Sequence, residues 1–74
     1  MEDILYTVKE TAELIKTNPN YVYELIKKGK LSALKLGSYK IRRTSLLQFL
    51  EQYDGKDLTD LNDIKDLEVV IDED

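Results

Sequence analysis

The sequence predicts a mainly α-helical domain with one small β-hairpin, in the order helix, turn, helix, hairpin, helix. Three observations carry this. Two helix-start signatures, Thr7-Val8-Lys9-Glu10 and Asn18-Pro19, stand close together. Apolar residues then alternate at Leu34-Lys35-Leu36 and again at Tyr39-Lys40-Ile41-Arg42, on either side of Gly37-Ser38. Helical spacing resumes through Leu46, Phe49, Leu50 and Tyr53.

Ile4-Leu5-Tyr6 opens the chain's structure as a short apolar, extended segment. In Thr7-Val8-Lys9-Glu10 the Thr7 hydroxyl can accept from the Glu10 amide while the Glu10 carboxylate reaches back to Thr7, which makes a capping box. The helix that follows carries Val8, Ala12 and Ile15 on one face, with Leu14 beside it, and should end near Lys16 or Thr17. Asn18 is a good N-cap, and Pro19 fits the first helical position, where no amide donor is needed. From Pro19 to Lys28 the apolar side is Val22, Leu25 and Ile26, and the other side shows Asn20, Tyr23, Glu24 and Lys27. Gly29 suits the positive φ just past a helix end. Two short helices this close form a helix-turn-helix.

A two-residue loop at Gly37-Ser38 suits a type II′ hairpin. That register pairs Leu36 with Tyr39, Lys35 with Lys40 and Leu34 with Ile41. One face is then apolar (Leu34, Leu36, Tyr39, Ile41) and the other basic (Lys35, Lys40, Arg42); a slip of one residue would mix them. Arg43 or Thr44 begins the third helix, and Gly55 closes it. Residues 54–74 repeat apolar, variable, Asp from Leu58 onward, a period of three that fits neither helix nor strand. They are expected to be a weakly helical or disordered acidic tail, after a folded domain over 1–53.

The 74 residues are 42% hydrophobic and 35% charged, in keeping with one small globular domain. The absence of Cys excludes disulfide scaffolds and thiolate chemistry, and the absence of His removes the usual general base and zinc ligand. No apolar run reaches the ~20 residues that span a bilayer. Met1 to Tyr6 has two acids and no basic n-region, unlike a secretory signal, so a cytoplasmic location is expected. The net charge of −4 hides a strong asymmetry. Lys16 to Arg43 holds eight basic residues and one acid, net +7, whereas 54–74 holds two Lys and nine acids, net −7. Such a block points to a polyanion partner; the alternative is an ordinary solvated charged surface.

The residues Tyr6-Thr7-Val8-Lys9-Glu10-Thr11-Ala12-Glu13-Leu14-Ile15, then Val22 to Leu31 (VYELIKKGKL), then Gly37-Ser38-Tyr39-Lys40-Ile41-Arg42-Arg43 together resemble the excisionase family of helix-turn-helix domains, small winged-helix relatives of the MerR type. The resemblance covers Tyr6 to Glu51. It implies a winged helix-turn-helix fold, with the hairpin as wing. Members often carry Gly near Lys16 and Pro near Ser32. This chain has neither, which implies a less sharp turn between the first two helices.

The resemblance places the second helix in the DNA major groove. Ten residues from Pro19 to Lys28 give about 15 Å of helix, enough to cross it. The candidate DNA-binding residues of this helix are Asn18, Asn20, Tyr21, Tyr23, Glu24, Lys27 and Lys28. Asn20 can pair with an adenine edge, and Tyr23 or Lys27 can reach base or phosphate. Asn18 is better used as a cap, and Tyr21 is partly buried or lies against the backbone. Asn20 and Glu24 as plain solvated surface remain the alternative. The wing and its flank add Lys30, Lys35, Ser38, Lys40, Arg42 and Arg43. Lys35 directly opposite Lys40 is a repulsive pair that a phosphate would relieve; the alternative is an edge guarded by lysines against aggregation. Arg43 can cap the third helix or contact DNA, and Tyr39 packs at the root of the wing.

No residue set suggests an enzyme, a metal or a small-molecule cofactor. The tail aspartates lack the spacing of a calcium loop. The expected partner is double-stranded DNA. Resemblance adds an excisionase, or recombination directionality factor, of a phage or mobile element, acting with an integrase and further copies of itself. One alternative is a small MerR-like transcriptional regulator, although the chain ends before the long dimerisation helix such regulators carry. The other is a protein-interaction module that uses the acidic tail. The tail's apolar residues Leu58, Leu61, Ile64, Leu67, Val70 and Ile71 can dock on the domain or await a protein partner; a frayed, solvated tail is the simpler alternative.

Overall fold

A computed structural model describes residues 4–67. Strand β1 (Leu5–Thr7) runs directly into helix α1 (Val8–Leu14). The capping box explains the abrupt start: Glu10 N–H donates to Thr7 Oγ1 at 3.0 Å, and Thr7 N–H donates to Glu10 Oε1 at 2.9 Å. Thr11 is fully buried, and its hydroxyl donates to the Thr7 carbonyl at 2.8 Å, which keeps a polar group out of deficit in the core.

α1 stops at Leu14, short of the expected Lys16 or Thr17, in a Schellman motif. Thr17 N–H reaches the Ala12 carbonyl at 2.8 Å and Lys16 N–H reaches Glu13 at 3.2 Å. Lys16 has φ +61°. The turn expected to be less sharp without glycine therefore takes the left-handed conformation with a lysine in it.

Helix α2 (Pro19–Lys27) starts at Asn18, whose Oδ1 accepts from Tyr21 N–H at 2.9 Å. It ends in the same motif as α1, with Lys30 N–H on the Leu25 carbonyl at 2.8 Å and Gly29 N–H on Ile26 at 3.0 Å. Here the left-handed position is Gly29. The two helices thus end alike, on a lysine and on a glycine.

Strands β2 (Leu34–Leu36) and β3 (Ser38–Arg42) make the hairpin, and β1 joins its other side in an antiparallel sheet of order β1-β3-β2. The register differs from the expected one by a residue. Leu34 lies opposite Lys40, Lys35 opposite Tyr39 and Leu36 opposite Ser38. Gly37, at φ +78°, turns the chain alone. A slip of one residue exchanges the faces. Ile41 and Tyr39 share the core side with Lys35, and Leu34 and Leu36 go to the outer face with Lys40 and Arg42. Leu34 and Leu36 are 41% and 60% exposed, not core. Their place is taken by Leu31, which is 2% exposed, and by half-buried Ala33. Pairing with β1 fixes the choice, because it sets Tyr6 opposite Ile41 over the core and Leu5 opposite Arg42 outside.

Helix α3 (Arg43–Gln52) begins without a side-chain cap and buries Leu46 and Phe49. Leu50, expected in the core, is exposed. Phe49 and Tyr53 pack ring to ring at 5.2 Å. The core joins Val8, Ala12, Val22, Leu25, Leu31, Ile41, Leu46 and Phe49, so every helix and the hairpin contribute to one cluster.

Over 54–67 the expected weak helix or disorder is corrected. Strands β4 (Lys56–Asp57) and β5 (Lys65–Asp66) pair antiparallel and make a short arm. Leu67 N–H donates to the Gly55 carbonyl at 2.8 Å, and Leu58 and Leu61 pack against the core. The period of three suits a looped excursion whose apolar residues touch down on the domain. Val70 and Ile71 lie outside the described residues.

Candidate nucleic-acid interface

Burial of Val22 and Leu25 orients α2 and decides what its other faces offer. Asn20, Tyr23 and Lys27, spaced three and four apart, form one exposed stripe. Tyr23 leans edge-on against Tyr39 of β3, with ring centroids 6.1 Å apart. The Lys35 ammonium lies over the Tyr39 ring, 5.2 Å from its centre. The stripe on α2 therefore runs on, through two tyrosines, to a cation on the hairpin. That continuity comes from the shifted register: with Lys35 opposite Tyr39, its side chain points to the α2 side of the sheet.

The same register separates residues that sequence reasoning had grouped. Lys40 and Arg42 occupy the outer face of the sheet, with Leu5, Leu34 and Leu36. Lys40 Nζ donates to Ser38 Oγ at 2.7 Å. No Lys faces Lys35 across the strands, so the repulsion offered as a sign of phosphate binding does not exist. Arg43 sits half-buried in the first turn of α3, its N–H on the Ile4 carbonyl at 3.0 Å. The N-cap is Arg42, so Arg43 does not cap the helix. Lys30 is half-buried past the end of α2.

A second face of α2, formed by Tyr21, Glu24 and Lys28, meets the arm. The Tyr21 hydroxyl donates to the Leu58 carbonyl, and Lys28 Nζ donates to Asn62 Oδ1 at 2.9 Å. Burial pushes the Tyr21 hydroxyl above its ordinary pKa, and the negative charge of Asp57 adds to this. Asp57 accepts at a single oxygen from the Thr59 hydroxyl (2.6 Å) and the Thr59 amide (2.9 Å), which holds its carboxyl below the usual range. Asp60 likewise accepts from Asn62 N–H at 3.0 Å. These side-chain-to-backbone bonds shape the loop that presents Leu58 and Asn62 to α2. Asn18, by contrast, is committed to its cap.

Sequence reasoning allowed Leu58 and Leu61 to dock on the domain but did not identify Tyr21 and Lys28 as the residues the arm holds. The signal available was the pair Leu58 and Leu61 inside an acidic stretch. Among the described residues no group of His, Cys, Asp or Glu is placed to hold a metal, and no helix is long and apolar enough to cross a membrane.

A search of curated proteins and a search of solved structures each find no match. The helix-turn-helix domain family matches residues 5–54, a span that takes in all three helices and the hairpin and stops at the start of the arm. The capped pair α1 and α2, the hairpin behind them and this match agree, and the chain belongs to the helix-turn-helix family of excisionase-like DNA-binding domains.

Proposed function

We propose that the protein binds double-stranded DNA in a sequence-specific way and serves as an excisionase, or recombination directionality factor, beside an integrase. The helix-turn-helix domain itself suggests sequence-specific DNA binding. The observation that carries the reading further is the unbroken surface of Asn20, Tyr23 and Lys27 on α2, joined through Tyr39 to Lys35 on the wing. A helix of nine residues is about 14 Å long, which fits a major groove about 12 Å wide.

In this reading the exposed stripe of α2 enters the groove. Asn20, in the first turn, offers an amide that can pair bidentately with an adenine edge. Tyr23 and Lys27 follow along the same stripe, Tyr23 against base or sugar and Lys27 against phosphate. Lys35 meets the backbone beside the groove, while Lys40 and Arg42 serve a neighbouring stretch of duplex that passes the outer face of the wing. Helix-turn-helix DNA-binding families are typically non-enzymatic, and the role here is to hold and shape DNA for another protein's chemistry.

Two measurements test this. Binding to fragments of the host element should show a preferred site at the element's ends, protected over about a helical turn per bound copy. Purified protein added to an integrase of the same element should raise excision of an attachment-site substrate. Binding at a promoter alone, with no effect on excision, would overturn the recombination role and favour a small regulator of the MerR type.

A further inference from the structure

The arm is bound on the face of α2 that flanks the stripe of Asn20, Tyr23 and Lys27. Lys28 lies next to Lys27 in sequence and at the C-cap of α2, yet its ammonium is held by Asn62. Tyr21 is tied to Leu58, and Leu58 and Leu61 anchor the loop on the core. A shallow groove between Tyr21, Glu24 and Lys28 on one side and Thr59, Asp60 and Leu61 on the other marks the seam. The arm also carries charge it does not neutralise. Both its lysines pair within it, Lys56 with Asp66 and Lys65 with Asp63 at 3.5 Å. Asp54, Asp57 and Asp60 therefore leave the arm net negative beside the end of α2, where Lys27, Lys28 and Lys30 outnumber Glu24.

We propose that the 57–63 loop competes with DNA phosphate for the flank of α2, and that Lys28 exchanges Asn62 for a phosphate oxygen when duplex binds. This rests on the DNA-binding reading above. The exchange is favourable for the lysine, because a charged acceptor binds an ammonium more strongly than a neutral amide oxygen does. It is opposed by Leu58 and Leu61, which must loosen with the loop. It is opposed further by Asp57 and Asp60, which repel a duplex approaching within a screening length of about 10 Å at 0.1 M salt. The full chain thus binds DNA below the capacity of its helix-turn-helix. A ligand that drew the arm away, such as a basic protein surface, would release that capacity.

The test uses the full chain and a labelled random duplex, with affinity measured by fluorescence anisotropy at 50 and 200 mM salt. Asn62→Ala removes the acceptor from Lys28. Asp57→Asn with Asp60→Asn removes charge and keeps the oxygens that accept from Thr59 and Asn62. Thermal unfolding of each variant confirms an intact domain. Lys28 reaches the same phosphate in wild type and in Asn62→Ala, so the salt slope should stay the same while Asn62→Ala binds about 2- to 10-fold more tightly at both salts. The gain of Asp57→Asn with Asp60→Asn should shrink at 200 mM as screening rises. Lys28→Ala should abolish the advantage of Asn62→Ala when combined with it. Wild-type protein that binds the duplex with the same affinity as both variants overturns the competition and leaves DNA binding standing. Wild-type protein that binds neither this duplex nor the element's own DNA at 50 mM salt overturns both.

Discussion

Lys16 offers a direct measure of how much the turn of the helix-turn-helix relies on glycine. Its φ of +61° lies in the left-handed region, where an L-residue with a Cβ is disfavoured by about 1–2 kcal/mol. Gly29 occupies the same place after α2 at φ +71°, with the same pair of carbonyl bonds. Lys16→Gly should remove the steric cost. Against this, glycine makes the unfolded chain freer, which costs about 0.5–1 kcal/mol. The balance is a gain of about 0.5–1 kcal/mol. For a domain of this size that is a rise of roughly 2–8 °C in Tm. Lys16→Asn, which tolerates the left-handed region without glycine's entropy, should also stabilise. The converse substitution, Gly29→Ala, meets no atom within 4 Å, so strain of about 1–2 kcal/mol is offset only by the stiffer unfolded chain, for a net loss of about 0.5–1 kcal/mol. Urea unfolding followed by circular dichroism at 222 nm reads all three, with a constant m-value as the control for an unchanged unfolded state. Lys16→Gly that destabilises the domain while Gly29→Ala leaves it unchanged refutes the assignment of a strained lysine turn.

Other outcomes follow from the same geometry. Asn20→Ala should lower discrimination between cognate and random duplex by about 1–3 kcal/mol while leaving Tm nearly unchanged, whereas Leu25→Ala should destabilise by about 2–5 kcal/mol; competition binding and unfolding curves separate the two. Lys35→Ala should weaken binding to every duplex, flatten the salt slope by about 0.9 and, because its ammonium lies on Tyr39, cost about 0.5–1 kcal/mol of stability. A stability gain would instead restore the repulsive register that pairs Lys35 with Lys40. The Asp57 and Asp66 carboxyls are held below their ordinary pKa, Asp57 first by the Thr59 hydroxyl and Asp66 first by its hydrogen bond from Lys56. Their support for the arm is thus present above the unfolded value of 3.8 and lost as pH falls through the lower folded values. NMR shifts of Thr59 and Leu67 should move below about pH 4 before those of the core, and shifts that stay fixed until global acid unfolding would refute this.

The helices were legible because their signals are local. A capping box needs only Thr7 and Glu10, and an N-cap with Pro behind it needs only Asn18 and Pro19. The buried face of α2 follows from Val22 and Leu25 at helical spacing, and that burial leaves Asn20, Tyr23 and Lys27 outward whatever the rest of the chain does. The sequence by itself therefore determined the helix-turn-helix, its candidate reading stripe and the basic character of the surface around it.

Tertiary structure decided the remainder, because those features turn on choices between near-equal local patterns. Around Gly37 two hairpin registers are possible, and alternation favours the one that groups four apolar residues. The other prevails because β1, thirty-odd residues earlier, pairs Tyr6 with Ile41 and because Leu31 and Ala33 fill the core in place of Leu34 and Leu36. With that single shift Lys35 moves to the α2 side and Lys40 and Arg42 to the other, so which side chains each face of the hairpin carries is a long-range property. The arm is the same case. Leu58 and Leu61 have no periodic partner within the tail, and their partners are on the folded domain, where Tyr21 and Lys28 become available only after α2 has packed. Local spacing records which face of an element is apolar; which surface lies opposite it is fixed only when distant segments compete to bury the same core.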